Sequence, residues 1–185
     1  LKEQRDLIQE IINSGQKMLH MINHSLDLFK MEEGSYQLNP DSFDLVQLLS
    51  RIEQEINNHK RGKELQINYW LDDQQLDWQT QYMISGEMRN FESMLANLLT
   101  NALEASPKGA SIEVRINQIH KNGYRIEIHN QGAVPAQIRD KFFERYVTWG
   151  KNHGTGLGTY SARLIARAHG GDISFKSSEE EGTTI

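Results

Sequence analysis

The sequence predicts an α+β fold preceded by a long helix that stands apart. Three observations carry this reading. Apolar residues recur at helical spacing in four segments, they alternate at strand spacing in several others, and the first segment alone keeps a heptad. Over Leu1–Glu33, the residues Ile8, Ile12, Gly15, Leu19, Ile22, Leu26 and Phe29 are spaced 4, 3, 4, 3, 4, 3. Ile11, Met18, Met21 and Leu28 widen the stripe beyond a two-stranded seam. A stripe that wide suits a four-helix bundle, of which this chain offers one helix. Packing against its own domain would also use such a stripe. The unbroken heptad and the stop at Gly34 favour an exposed dimerisation helix.

The remaining elements follow in order. Gly34 to Pro40 reads as a connector, and Ser42 or Asp44 can cap a helix through Leu45, Leu48, Leu49, Ile52 and Ile56 to near His59. Ile67, Tyr69 and Leu71 alternate as a strand, and Asp72 to Thr80 is polar and reads as loop. From about Glu87 a helix carries Met88, Phe91, Leu95, Leu98, Ala102 and Ala105 on one face. Ile112, Val114 and Ile116, then Tyr124, Ile126 and Ile128, form two strands around the hairpin signal Asn122-Gly123. A helix is expected over Thr159–His169, a strand beginning at Ile173 and Phe175, and another entered at Gly182-Thr183-Thr184-Ile185. The chain stops where that last strand should continue, so it is expected to be cut at both ends.

Composition narrows the function classes. The 185 residues carry a formal charge of -5, which argues against nucleic acid as the main partner, since a phosphate backbone calls for a basic face. No run is long and apolar enough to cross a membrane, and no secretory signal is visible. The absence of cysteine removes disulfides and thiolate metal sites and fits a reducing compartment. The seven histidines are scattered without metal-ligand spacing.

Chemistry concentrates in two places. In His153-Gly154-Thr155-Gly156-Leu157-Gly158-Thr159, three glycines at alternate positions let the backbone approach a ligand closely. The helix that follows aims its unpaired amides back at that loop, which makes an anion site. Upstream, Asn97 and Asn101 lie one turn apart on one helix face. An amide offers a carbonyl oxygen to a hard cation and an NH2 to a phosphate oxygen, which suits Mg-ATP.

Together these segments resemble the sensor histidine kinases. Asn97-Leu98-Leu99-Thr100-Asn101-Ala102-Leu103-Glu104-Ala105-Ser106 is similar to their N box, Phe143-Glu144-Arg145-Tyr146 to the F box, Gly154-Thr155-Gly156-Leu157-Gly158 to the second glycine box, and Gly182-Thr183-Thr184 to the closing threonine motif. Ala168-His169-Gly170-Gly171 sits where the family ends its helix. Met21-Ile22-Asn23-His24-Ser25-Leu26-Asp27-Leu28 resembles the second helix of the dimerisation and phosphotransfer hairpin.

The resemblance implies a two-layer α/β sandwich of the GHKL ATPase type and a division into residues 1–34 (an incomplete hairpin), a linker 35–43 and a catalytic domain 44–185. It implies that Asn97 holds Mg²⁺ and that Asn101 reaches the phosphates or the ion. Gly154, Thr155, Gly156, Leu157 and Gly158 would cradle the phosphate chain, and Thr183 would support the adenine pocket through water. Thr148-Trp149-Gly150-Lys151 resembles a lid, so Thr148 and Lys151 join the ATP-binding set, although a solvated loop lysine would look the same. A homodimer through the first helix, a response-regulator receiver domain as partner, and a cytoplasmic setting, with or without a membrane anchor elsewhere, are implied too.

Three departures stand out. The first glycine box reads His129-Asn130-Gln131-Gly132-Ala133-Val134-Pro135. Asn130 replaces the family's aspartate, which accepts a hydrogen bond from the adenine amino group, and only Gly132 remains of two glycines. A neutral acceptor predicts weaker nucleotide binding. One turn before Asn97 stands Ser93 rather than a polar base, which leaves the neighbouring Glu92 as the candidate general base. No His-Glu or His-Asp acceptor motif occurs, and His20 and His24 look like packing or surface sites. The acceptor helix is therefore expected upstream, and the fragment is expected not to phosphorylate itself. The competing reading is a degenerate nucleotide-binding or interaction module.

Overall fold

The computed structural model describes residues 2–121, 123–149 and 155–185. It divides into two compact units, Leu1–Gln37 and Leu38–Ile185. The first is dominated by α1 (Lys2–Glu32). Its apolar stripe is open: Leu7, Ile8, Ile11, Leu19, Ile22 and Phe29 are each more than half exposed. The side chains of His20 and His24 lie outside those described. Gly34, at φ +69°, ends the helix, and the Ser35 N–H turns back to the Lys30 carbonyl at 2.9 Å. A left-handed residue just past the last turn costs glycine nothing.

The second unit opens with β1 (Asp41–Asp44), which pairs antiparallel with β4 (Met83–Gly86). Residues 41–43 are therefore strand and not linker. The reason is tertiary, since their partner lies some forty residues downstream and this short run has no pattern of its own. Asp44, the last residue of that strand and the one directly before α2 (Leu45–Gly62), caps the helix, and its carboxylate accepts the Val46 N–H at 3.0 Å.

The main sheet has six strands in the order β3-β2-β5-β6-β8-β7. They are β2 (Gln66–Leu71), β3 (Gln74–Gln75), β5 (Ser111–His120), β6 (Gly123–Asn130), β7 (Lys176–Ser178) and β8 (Gly182–Thr184). β2 and β5 run parallel with α3 (Met88–Ala105) between them in sequence, and every other pairing is antiparallel. Along β5, Ile112, Val114 and Ile116 are buried while their neighbours are half-buried, so one face of the sheet is covered. The cover is α2, α3 and α4 (Gly158–Ala168), which supply Leu48, Leu49, Ile52, Leu95, Leu99 and Ile165 to the core. Two layers result, as expected, and the sheet stays open.

Two local expectations change, and one element is added. The polar stretch after Asp72 contributes the two-residue β3. Residues Ala136–Lys141 form a 3-10 helix. The strand expected from Ile173 begins only at Lys176, and the Phe175 ring before it packs on Phe142 at 4.6 Å and Phe143 at 5.7 Å. Asn122, half of the hairpin signal, lies outside the described residues, but β5 and β6 pair as that signal requires.

Candidate functional site

Two helices place the site, and one histidine aligns them. His169 caps α4; its Nδ1–H donates to the Ile165 carbonyl at 2.8 Å, which turns Nε2 into the acceptor for the Glu87 N–H at 3.1 Å. Glu87 is the N-cap of α3 and supplies no side-chain cap of its own, so the ring satisfies a helix-end donor from the next helix. At the other end of α3, the Lys63 ammonium donates to the carbonyls of Leu103, Glu104 and Ser106.

Between these anchors, α3 and α4 meet at the glycine loop. A Cβ on Gly158 would lie 3.6 Å from Asn97 Oδ1 and 3.7 Å from Asn101 Nδ2, so both amides face the start of α4. The Asn97 NH2 donates to Ser161 Oγ at 3.2 Å, and Ser161 donates to the Gly158 carbonyl at 3.0 Å. Gly156 stands at φ +67°, where a Cβ would fall 2.4 Å from the Tyr146 carbonyl carbon. Its carbonyl accepts the Tyr146 N–H at 2.9 Å, and Tyr146 itself sits at φ +64°. Thr159 ties the first turn of α4 to the Phe142 carbonyl at 2.7 Å. The glycine loop and the Phe142–Tyr146 segment thus hold each other.

A cavity of about 880 Å³ opens over this junction. That volume lies within the usual range for small-molecule sites. Asn97 and Asn101 line it from α3, Asn130 and Thr183 from adjacent strands. Thr148, Thr155, Gly156 and Gly158 line it from the loops and the start of α4. Asn130 and Thr183 are 3% and 4% exposed. Lys151 and Gly154 lie outside the described residues.

Three candidates stand apart. Gly132 lies behind Asn130, against α3, where a Cβ would fall 2.1 Å from the Ala105 carbonyl oxygen. Leu157 is the N-cap of α4, and its carbonyl accepts the Ser161 N–H at 2.8 Å. Glu92 does not line the cavity; its carboxylate meets Arg51 of α2 at 3.8 Å. Five residues before Asn97, it is rotated by roughly 140° around the helix and faces α2 instead. Glu92 thus stands on the α2 side of α3, apart from the other candidate residues.

The strongest electrostatic perturbations also lie away from the cavity lining. Burial, aided by Glu53, pushes the Tyr69 hydroxyl well above its ordinary value. The Arg163 guanidinium holds the Asp172 carboxyl well below the usual carboxylate range, with Arg167 and the Ile173 N–H assisting. Among the described residues no cluster of histidine, aspartate or glutamate could hold a metal ion. The sequence-predicted residues that line the cavity offer neutral amides, hydroxyls and backbone, and Glu55, Lys63 and Glu104 add charge to its wall. Ser161, which the motif reading passed over, was visible as a polar residue in the first turn after the glycines, and Thr159 was quoted there without a role. Lys63 was not, because nothing local marks it.

The profile of the family described as histidine kinase-, DNA gyrase B- and HSP90-like ATPase matches residues 86–185, more than half of the chain. The chain belongs to this ATPase family. The family implies that ATP is the ligand bound. Sensor histidine kinase WalK of Bacillus subtilis is 29% identical over 183 residues, covering 94% of this chain and 28% of that protein. The alginate biosynthesis sensor protein KinB of Pseudomonas aeruginosa is 28% identical over 181 residues, covering 96% of this chain and 29% of its own length. The chain spans about a third or less of the curated relatives it matches. In fold, the Acinetobacter baumannii histidine kinase AdeS superposes with a TM-score of 0.69 at 18% identity, covering 96% of this chain and 80% of that one. The histidine kinase ThkA, in complex with response regulator protein TrrA, gives a TM-score of 0.60 at 21% identity, covering 94% and 47%. The curated relatives that this chain resembles are sensor kinases, and the degenerate-module reading is not favoured.

Proposed function

We propose that this domain binds Mg-ATP in the cavity above α3 and α4 and presents the γ-phosphoryl to a histidine on a dimerisation hairpin, for relay to an aspartate of a response-regulator receiver domain. The observation that carries the reading is the meeting of Asn97, Asn101 and Gly158, which aims two amides at a helix N-terminus. The backbone amides at the start of α4 attract phosphate, and the missing Cβ of Gly158 leaves it room. Asn97 gives its NH2 to Ser161, which orients its carbonyl oxygen as a hard donor suited to Mg²⁺. Bound there, the ion would neutralise charge on the phosphates. Asn101 steadies the phosphates or the ion. Gly154, Thr155, Gly156 and Leu157 shape the loop around the chain of phosphates, with Thr148 and Lys151 as lid. Asn130 and Thr183 meet the base. None of these residues forms a covalent bond, and their contribution is position and charge.

The chain would dimerise through the open face of α1 and draw on cytoplasmic ATP. Among the described residues, no helix is long and apolar enough to cross a membrane. Because no His-Glu or His-Asp motif is present, label from ATP should reach protein only when a hairpin carrying the acceptor histidine is supplied. Calorimetry with ATP, with and without Mg²⁺, tests the site. Native protein is expected to bind more tightly with the ion, and Asn97→Ala is expected to lose that dependence while keeping metal-free binding. Equal Mg²⁺ dependence in both proteins would refute the role given to Asn97.

A further inference from the structure

We infer, on the reading of the cavity as an Mg-ATP site, that Ser161 is a positioning residue. It fixes which end of the Asn97 amide faces the nucleotide, and so makes Asn97 a metal ligand and not a phosphate donor. An asparagine amide carries an oxygen at one end and an NH2 at the other, and the two ends fill nearly the same space. Only the oxygen can ligate Mg²⁺, whereas the NH2 donates to a phosphate oxygen. Residue 97 by itself does not decide which end points into the cavity.

Ser161 decides it through its single proton. The residue stands in the first turn of α4 and is 2% exposed. A hydroxyl has one proton to give and lone pairs to receive. That proton goes to the Gly158 carbonyl at 3.0 Å, which leaves Oγ as an acceptor, and Asn97 Nδ2 donates to it at 3.2 Å. The amide oxygen is thereby turned toward Gly158, where a Cβ would lie 3.6 Å from it. Reversing the amide sets oxygen against oxygen unless the hydroxyl rotates to meet it, and that rotation gives up the bond to Gly158. The native arrangement makes two bonds where the reversed one makes one. Packing keeps the pair in place. The Ser161 N–H is held by the Leu157 carbonyl at 2.8 Å, and Ala162 and Ile165 on the same helix are fully buried. At the far end of α4, His169 accepts the Glu87 N–H, so the two helices keep their register.

Removing the hydroxyl therefore acts differently from a general loosening of the helix. With no acceptor at position 161, the amide is released and its NH2 can turn to the phosphates. Ser161→Ala should weaken ATP binding more with Mg²⁺ than without it. The ratio of the two affinities should fall by about tenfold, the lower end of what losing the partner behind a metal ligand costs. A carboxylate at position 97 has an oxygen at both ends, so orientation no longer matters there. In an Asn97→Asp background the same serine substitution should leave the ratio unchanged. Comparing the two backgrounds separates orientation from packing.

The test is calorimetry with ATP, once with Mg²⁺ and once with a chelator, on native protein, Ser161→Ala, Asn97→Asp and the double variant. Native protein is expected to show a ratio about tenfold above that of Ser161→Ala, while Asn97→Asp and the double variant share one ratio. NMR of native protein without nucleotide or metal supplies a second readout that does not depend on the folding of any variant. The Asn97 NH2 protons, assigned through their own Cβ, should exchange with water more slowly than those of Asn39, an exposed residue. Where Ser161→Ala folds, it should erase that difference. An unchanged ratio in Ser161→Ala, an equal fall of the ratio in the Asn97→Asp background, or Asn97 protons that exchange at the Asn39 rate overturns the inference and leaves the nucleotide site standing. Native binding that ignores Mg²⁺, or no binding of ATP by native protein, sinks the reading of the cavity on which it rests.

Discussion

Replacing Lys63 by methionine tests how the site-bearing helix is anchored. The Lys63 ammonium lies 3.1, 2.6 and 3.1 Å from the carbonyls of Leu103, Glu104 and Ser106, the last turn of α3 and its C-cap. Methionine keeps the apolar stem and removes the charge. A hydrogen bond to a charged group contributes about 1.5–3 kcal/mol net. One cation shared among three acceptors counts nearer to one such bond than to three. A positive charge at a helix C-terminus adds about 0.3–1 kcal/mol. Their sum is about 2–4 kcal/mol, which for a domain of this size lowers Tm by about 5–12 °C. Thermal unfolding followed by tryptophan fluorescence suits the purpose, because Trp70, Trp78 and Trp149 all lie in the ATPase unit. Lys108→Met serves as the control. Lys108 pairs with Glu64 at 2.8 Å with both side chains 68% exposed, and such pairs contribute below about 1 kcal/mol. A Lys63→Met melting temperature indistinguishable from that of Lys108→Met would refute the reasoning.

Two further outcomes are expected. Gly156→Ala forces a Cβ to within 2.4 Å of the Tyr146 backbone at φ +67°, so Tm should fall and ATP affinity should drop more than about tenfold. Gly171→Ala, whose Cβ would meet only Ala166 O at 3.5 Å, should change neither quantity; similar effects of both substitutions in melts and calorimetry would rule out this account of the loop. Asp172 accepts paired bonds from Arg163 and from Arg167, which depress its folded pKa. Its stabilisation is present above the unfolded value of about 4 and is lost as pH falls below it. The pair is half exposed, so Asp172→Asn should cost less than about 1 kcal/mol at pH 7 in urea melts. The difference from native should shrink as pH falls below about 4 toward the depressed folded pKa, and a constant difference across pH would contradict the assignment.

The chain by itself determined the elements that carry long periodicities and the residues that carry glycine or amide chemistry. The heptad of α1, the apolar faces of α2, α3 and α4, and the alternation of β5 and β6 are local statements, because each side-chain direction follows from the backbone repeat. The Asn97–Asn101 pair and the run from Gly154 to Gly158 were legible for the same reason, since one turn of helix or one tight loop sets their spacing.

What required the tertiary structure is every feature whose partner lies far along the chain. The strand at Asp41–Asp44 exists because Met83–Gly86 pairs with it. Glu92 faces Arg51 because α2 packs on that side of α3. Lys63 caps a helix forty residues away, and His169 bridges to Glu87 from the far end of α4. The polarity of the Asn97 amide is of the same kind. Asparagine at that position can donate or accept, and the choice was made by a serine that α4 holds opposite it. A side chain with two faces takes its direction from neighbours that sequence spacing does not reveal.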